Sequence, residues 1–240
     1  MAQTYGPEFP GIQDGLVFCF DPKNRNCWNG GTNFTDLVKD VTLTGTNLDN
    51  DEFASALTTE GYVNFDGTDD YINCGQIEAL KGASSWTISG WYKQPTLDQR
   101  NFMFGATVNS TNWISAETWN DGQMYFEIRN GASSYAQFDY STVVTADEWF
   151  HVAMVFDGTQ ASDNDRLIAF INGSQVSLNY SAAAIPTSTN ATIGDFYIGH
   201  TATQSDEWAG GIGPVYIYNR NLLTSEILTN YNNLKVRFGL

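Results

Sequence analysis

The chain has 240 residues, a formal net charge of −16 at pH 7, 14% aromatic residues and 22 glycines. This length suits one large β domain, whose core is big enough to fold without a disulfide or a metal. The acidic excess disfavours nucleic acids and anionic membranes as partners, because both would repel the protein, and leaves divalent cations, polar glycans and other proteins.

The N-terminal segment shows no periodic pattern, and residues 1–13 predict an extended arm. It has no basic region followed by an apolar stretch, so we expect no signal peptide. No run approaches the ~20 apolar residues of a membrane span, so we expect a soluble protein made in a cytoplasm. The odd number of cysteines argues against a disulfide framework and predicts that Cys19 and Cys74 are small buried side chains.

Short apolar or alternating runs separated by turn residues follow along the rest of the chain. Asn120-Asp121-Gly122 and Asn172-Gly173 are strong turn signals between such runs. The predicted strands cover residues 16–20, 62–65, 71–74, 86–92, 101–106, 111–119, 123–129, 149–156, 167–171, 175–178, 196–199 and 215–218. Around a dozen strands at hairpin spacing, with no helical period between them, predict an antiparallel sandwich.

One helix is expected, close to the C-terminus. Thr224 can cap it and Glu226 suits its positive N-terminal end, before an apolar stripe of Ile227, Leu228, Tyr231 and Leu234. The predicted fold is therefore all-β, an antiparallel two-sheet jelly-roll sandwich over residues 14–223. A short C-terminal helix and a docking tail occupy residues 224–240.

Six segments in order resemble the laminin-G-like, concanavalin-A-like lectin/glucanase jelly-roll superfamily. They are residues 15–21, 63–71, 86–91, 148–158, 170–173 and 210–227. The opening (Asp14-Gly15-Leu16, Asp21, Trp28, Asp36-Leu37) and the ending 230–240 are similar to those of virion structural proteins of tailed bacteriophages. Many relatives hold calcium partly through an Asp in the last strand, where this chain has Gly213-Pro214. The resemblance therefore does not carry that calcium site over.

Acidic loops are the candidates for a metal, because calcium prefers six to eight oxygen ligands. Asp66, Asp69 and Asp70 crowd one turn, Asp163 and Asp165 another, and Asp21 ends the first strand. The alternative is turn chemistry, in which Asp side chains bond their own backbone. We expect no required cofactor, with calcium as an optional one.

Catalysis is not expected. A retaining glycosidase needs two carboxylates about 5–5.5 Å apart on one face, whereas Glu117 and Asp121 straddle a turn and Asp147 and Glu148 point to opposite faces. His151 is expected to be a packed residue of a core strand rather than a base.

Two non-enzymatic functions remain, and they are compatible with each other. The favoured one is a virion structural protein on a phage capsid or tail. It would contact other virion proteins or its own copies through the arm and through Lys235, Arg237 and Phe238. The alternative is a lectin-like module that binds host glycan through tryptophans in polar surroundings, with or without calcium. Those tryptophans are Trp28, Trp113, Trp119 and Trp208; their alternative location is the core or a subunit interface.

Overall fold

A computed structural model describes residues 11–49, 52–53, 55–181, 183–203 and 206–240. Two antiparallel sheets pack face to face, with apolar side chains between them. The predicted two-sheet sandwich with one short C-terminal helix is confirmed. Strands are numbered β1 to β16 in chain order. Residues 1–10 of the predicted arm lie outside the described residues.

The first sheet has seven strands in the described residues, in the order β1-β16-β6-β11-β12-β13, with β4 also paired to β16. The strands are β1 (Leu16–Phe20), β4 (Val63–Asp66), β6 (Ser85–Lys93), β11 (Trp149–Asp157), β12 (Leu167–Ile171), β13 (Ser174–Val176) and β16 (Ala209–Tyr218). Strand β11 lies inside this sheet, and eight of its nine residues are buried. Its nearly continuous apolar sequence suits a strand that is covered on both faces.

The second sheet has nine strands in the described part of the chain, in the order β14-β10-β9-β8-β7-β15-β5-β3-β2. The strands are β2 (Asn33–Thr35), β3 (Thr42–Thr46), β5 (Tyr71–Asn73), β7 (Asn101–Asn109), β8 (Asn112–Thr118), β9 (Gln123–Asn130), β10 (Tyr135–Asp139), β14 (Asn179–Tyr180) and β15 (Phe196–Ile198). The predicted turn at 120–122 closes the β8–β9 hairpin, where the Trp119 N–H donates to the Gln123 carbonyl at 2.8 Å.

Helical segments are short, apart from the C-terminal one. Helix α1 (Asp163–Arg166) and 3₁₀ turns at Ser55–Leu57, Glu78–Leu80 and Tyr140–Thr142 lie in connections, and α2 (Thr224–Leu234) is followed by a 3₁₀ turn, Lys235–Phe238. Helix α2 begins at Thr224 as predicted, but Thr224 is not its capping residue. Leu223 is the N-cap, and the Glu226 carboxylate accepts its backbone N–H at 2.8 Å.

Helix α2 and the turn after it cover the outer face of the seven-stranded sheet. They form a second apolar cluster in which the Phe238 ring stacks on Trp91 at 4.4 Å and contacts Trp149 at 4.6 Å. A Cβ on Gly213 would lie 3.0 Å from the Phe238 ring. The glycine at this point of β16 thus leaves room for the C-terminal segment.

Two residues predicted to dock the protein to a partner are instead used inside the domain. Phe238 is buried in the cluster just described. The Arg237 guanidinium donates to both carboxylate oxygens of Asp21 at 2.8 Å and to the carbonyls of Glu60 and Gly61. Lys235 is half-buried, with its ammonium 5.6 Å from the Tyr231 ring centre.

The described end of the arm also packs on α2. The Ile12 N–H donates to Asn230 Oδ1, and the Tyr218 hydroxyl donates to the Ile12 carbonyl, both at 2.9 Å. Cys19 and Cys74 are buried as predicted, and so is Cys27; all three are free thiols. No helix in the described ranges is long and apolar enough to cross a membrane.

Candidate functional site: the outer face of the nine-stranded sheet

The β8–β9 hairpin separates its side chains cleanly between the two faces of the sheet. Ile114, Ala116, Met124, Phe126 and Ile128 belong to the core between the sheets. The alternate positions point outward. These outward positions are Trp113, Ser115 and Glu117 on β8, Gln123, Tyr125, Glu127 and Arg129 on β9, and Tyr135, Gln137 and Asp139 on β10.

Three half-buried aromatic rings form a continuous row across the outward face. Trp119 follows β8, Tyr125 lies in β9 and Tyr135 begins β10. The ring centres of Trp119 and Tyr125 are 5.2 Å apart, and those of Tyr125 and Tyr135 are 5.3 Å apart. Successive rings are tilted by 43° and 49°. We refer to Trp119, Tyr125 and Tyr135 as the aromatic row.

Arg100 lies at the Trp119 end of the row. Its guanidinium carbon is 4.4 Å from the centre of the Trp119 ring. Arg100 Nε donates to Glu117 Oε2 at 2.8 Å, and Nη1 is 3.0 Å from Asp206 Oδ2. Because Glu117 is fully buried, this ion pair holds the guanidinium beside the indole.

A similar arrangement lies farther along the same hairpin. The Arg129 guanidinium carbon is 4.4 Å from the Trp113 ring centre. Arg129 Nη2 donates to Glu127 Oε1 at 3.0 Å, and Nη1 donates to the Ser110 carbonyl at 2.9 Å. Glu127 is 3% exposed. Each arginine therefore lies against a tryptophan and pairs with a buried glutamate.

The two glutamates have raised pKa values because they are buried. Burial and the negative charge of Glu127 raise the pKa of Glu117 to about 7, against the lowering effect of Arg100. Burial also raises the pKa of Glu127, with Arg129 acting in the opposite direction. In both cases the paired arginine favours the charged form of the carboxylate, against the effect of burial.

The four tryptophans predicted to contact glycan lie in different environments. Trp119 belongs to the aromatic row. Trp113 is on the same face, but it is 2% exposed beneath Arg129. Trp28 is half-buried and stacks on Phe53 at 5.4 Å. The prediction for Trp208 needs correction, because its side chain is fully buried against Tyr92 and presents no ring to a ligand.

The acidic turn brings together the predicted metal ligands Asp66 and Asp69, with Asp70 as a third. One ligand oxygen from each lies within 4.8 Å of the others, a donor set that suits a hard dication. Asp70 Oδ2 also accepts the Asp66 N–H at 2.9 Å. Burial first, and then nearby carboxylates, raise the pKa of Asp70 to about 7. A dication here would offset the repulsion between these carboxylates.

The other predicted metal ligands also have protein partners, as Asp66 does in accepting the Thr68 N–H at 2.7 Å. Asp21 is fully buried and paired with Arg237, which corrects the expectation that it contacts an ion. In the second acidic turn, Asp163 accepts the Ile185 N–H and Asp165 accepts the Ser162 hydroxyl. Asp165 bonds within its own turn, as the turn-chemistry alternative describes, whereas Asp163 accepts from a backbone N–H 22 residues away.

A groove of about 430 Å³ lies beside the acidic turn, along β4 and β16 of the seven-stranded sheet. Asp66 and Asn64 of β4 line it, together with a Lys93–Asp147 ion pair at 3.0 Å. Gly211, which lines the groove, lets the Trp149 ring lie close to β16, because a Cβ there would be 2.8 Å from that ring.

Several residues of this site were not predicted from the sequence: Arg100, Tyr125, Glu127, Arg129, Tyr135 and Asp206. For the hairpin residues the signal was available. The turn at 120–122 sets Glu117 opposite Tyr125 and Ser115 opposite Glu127, and alternation then places all four on one face. Arg100 and Asp206 come from connections far apart in sequence, and no local pattern links them.

The sequence of residues 66–228 matches the family described as the concanavalin A-like lectin/glucanases superfamily, Laminin_G_3. No curated protein is similar to the chain in sequence.

Three solved structures illustrate the fold likeness. Domain 4 of AbnA, an extracellular arabinanase from Geobacillus stearothermophilus solved with arabinotriose, is 19% identical, with a TM-score of 0.62 and coverage of 92% of this chain and 100% of that one. The botulinum neurotoxin serotype D binding domain is 14% identical, with a TM-score of 0.64 and coverage of 91% and 52%. Trypanosoma rangeli sialidase with sialic acid is 14% identical, with a TM-score of 0.64 and coverage of 93% and 33%. The chain thus spans about a third of the sialidase, and at such low sequence identities the structural likeness shows a shared fold alone.

Proposed function

Because the chain belongs to the concanavalin A-like lectin/glucanase superfamily, we propose that it is a lectin-like protein that binds glycan at the aromatic row. The observation that carries this proposal is the spacing of the three half-buried rings, at 5.2 and 5.3 Å across neighbouring strands. A row of three rings suits an oligosaccharide, because consecutive sugar units can each contact one ring. Rigid strands hold the rings in place before a ligand arrives, which reduces the entropy lost on binding.

The row has the two kinds of contact that sugar recognition needs. The ring faces supply apolar area for the C–H faces of a sugar, and polar groups fix its orientation. Gln123 and Gln137 lie on the same face as the rings, on β9 and β10. The arabinotriose bound to the AbnA domain and the sialic acid bound to the sialidase are properties of those proteins. They support glycan as the ligand class to test first here.

A glycan array with purified protein tests the proposal. We expect a defined set of oligosaccharides to bind the wild-type chain and signals at least about tenfold lower for Trp119→Ala and Tyr125→Ala, since hot-spot aromatics typically contribute 2 kcal/mol or more. Trp28→Ala is the control, because it removes a half-buried tryptophan away from the row. Absence of binding by the folded wild type, or equal losses in all three variants, would contradict the proposal.

We propose binding without catalysis. Glu117 and Glu127 are the buried carboxylates of this face, and each is held by an arginine at 3.0 Å or less. The exposed Asp139 at the end of β10 accepts the Ser141 hydroxyl at 2.6 Å, and no second carboxylate of this face is exposed beside it in β8, β9 or β10. A general acid or a nucleophile must instead reach the substrate. Incubation of the bound oligosaccharide with the protein, followed by chromatography, should return the oligosaccharide intact.

Calcium is proposed as an optional ligand of the acidic turn. Asp66, Asp69 and Asp70 would hold the ion, which would neutralise part of their charge. Repeating the array with chelator separates a structural ion from one that glycan binding requires. Loss of glycan signal in chelator would assign the ion to recognition.

The setting we propose is the virion of a tailed phage, with the protein on the capsid or tail and in contact with other virion proteins or its own copies. This rests on the sequence resemblance at the two ends of the chain. The internal packing of Arg237 and Phe238 removes them as docking residues and leaves Lys235. Mass spectrometry and cryo-microscopy of purified particles test this setting, and absence of the protein from virions would contradict it.

A further inference from the structure

The aromatic row is accompanied by two arginines, Arg100 and Arg129. An arginine beside a sugar-stacking ring would ordinarily attract an acidic sugar, because the guanidinium pairs with a carboxylate through two parallel hydrogen bonds. Whether these arginines can do so depends on what they already contact.

Arg100 is already neutralised. Its Nε pairs with Glu117 at 2.8 Å and its Nη1 with Asp206 at 3.0 Å, so the guanidinium faces two carboxylates. Glu117 is fully buried, so it cannot turn to water if a ligand carboxylate takes its place. Displacement would leave an unpaired buried charge, which is strongly unfavourable.

Arg129 is occupied in the same way. Its Nη2 contacts Glu127 at 2.9–3.0 Å and its Nη1 donates to the Ser110 carbonyl. Glu127 is 3% exposed, so its charge also depends on this partner. The two arginines therefore meet three carboxylates, those of Glu117, Glu127 and Asp206, on a chain whose net charge is −16.

We propose that the aromatic row selects uncharged oligosaccharides and excludes acidic ones, such as sialylated or uronic-acid glycans. This specificity rests on the proposed glycan-binding function. The arginines serve to position Trp119 and Trp113, and their charge is cancelled within the protein. An acidic sugar would meet a locally negative surface on which Arg100 and Arg129 are already paired with carboxylates.

The test compares matched neutral and acidic oligosaccharides. Calorimetry at pH 8, where Glu117 is ionised, would use N-acetyllactosamine with and without terminal sialic acid, and xylotetraose with and without a glucuronic acid branch. We expect the better neutral member to bind at least about tenfold more tightly than its acidic counterpart, because like charges brought together cost several kcal/mol. Equal or tighter binding of the acidic member would overturn the specificity while leaving the glycan-binding function intact.

Asp206→Asn tests the local cause. It removes one carboxylate from Arg100 while Glu117 stays in place, so we expect at least about threefold tighter binding of the acidic member and little change for the neutral one. Asp147→Asn is the control, because Asp147 is an exposed carboxylate that also lies 3.0 Å from a cation, but at the groove. The same gain in both variants, or none in Asp206→Asn, would overturn local exclusion. Absence of any binding by the wild type would overturn the proposed function and this specificity together.

Discussion

The Asp21–Arg237 pair joins the end of β1 to the C-terminal 3₁₀ turn, and Arg237→Met should destabilise the fold strongly. Asp21 is fully buried and the Arg237 side chain is 6% exposed, with two hydrogen bonds of 2.8 Å between them. Removal of one partner of a buried pair leaves the other charge unpaired, which typically costs about 3–5 kcal/mol. Because domains are stable by about 5–15 kcal/mol in total, this is a large fraction.

Urea unfolding, monitored by tryptophan fluorescence, measures this loss. The unfolding midpoint should fall, while the slope of the free energy of unfolding against urea concentration stays unchanged. Lys81→Met is the control, since it removes an exposed pair with Glu78 and should change the free energy of unfolding by less than about 1 kcal/mol. The double variant Asp21→Asn/Arg237→Met should lose less than the sum of the two single variants. A loss below about 1 kcal/mol for Arg237→Met would refute the reasoning and restore Arg237 as a docking residue.

Three further predictions concern other parts of the molecule. The pKa of Glu117 is raised to about 7 on folding, so its contribution to stability is present at acid pH and is lost as the pH rises from about 4.5 to 7. Urea unfolding midpoints should therefore fall more over this pH range in the wild type than in Glu117→Gln. Parallel curves of midpoint against pH for the two proteins would contradict this prediction. Calcium at pH 8 should raise the melting temperature of the wild type but not that of Asp69→Asn. The rise should be smaller at pH 6, because Asp70 has a pKa of about 7 and is protonated there. An equal rise in the variant would place the ion elsewhere. Phe238→Ala should lower the free energy of unfolding, measured by urea titration, by about 3–5 kcal/mol, because the ring is 5% exposed and packs between Trp91 and Trp149. A loss near zero would mean that the C-terminal segment does not pack there.

Part of the site follows from local sequence pattern. A turn at 120–122 and strict alternation on both sides of it determine that Trp113, Glu117 and Tyr125 share one face, because side chains of a strand alternate and a hairpin fixes its register. The same reasoning predicted the sandwich and the C-terminal helix. It also grouped Asp66 with Asp69, since both belong to one short turn.

Contacts between distant segments depended on the tertiary structure. Trp208 and Trp119 both have polar neighbours in sequence, yet one is in the core and the other on the surface, because the surroundings of a side chain come from strands far along the chain. Arg237 pairs with Asp21 across 216 residues, and Arg100 pairs with Asp206 from a separate connection. The sequence alone therefore determined the fold, most of the strands and the faces of the β8–β9 hairpin, but not the strands β2, β3, β10 and β14. Only the tertiary structure decided which charges neutralise each other, because ion pairing depends on distances that no local pattern encodes.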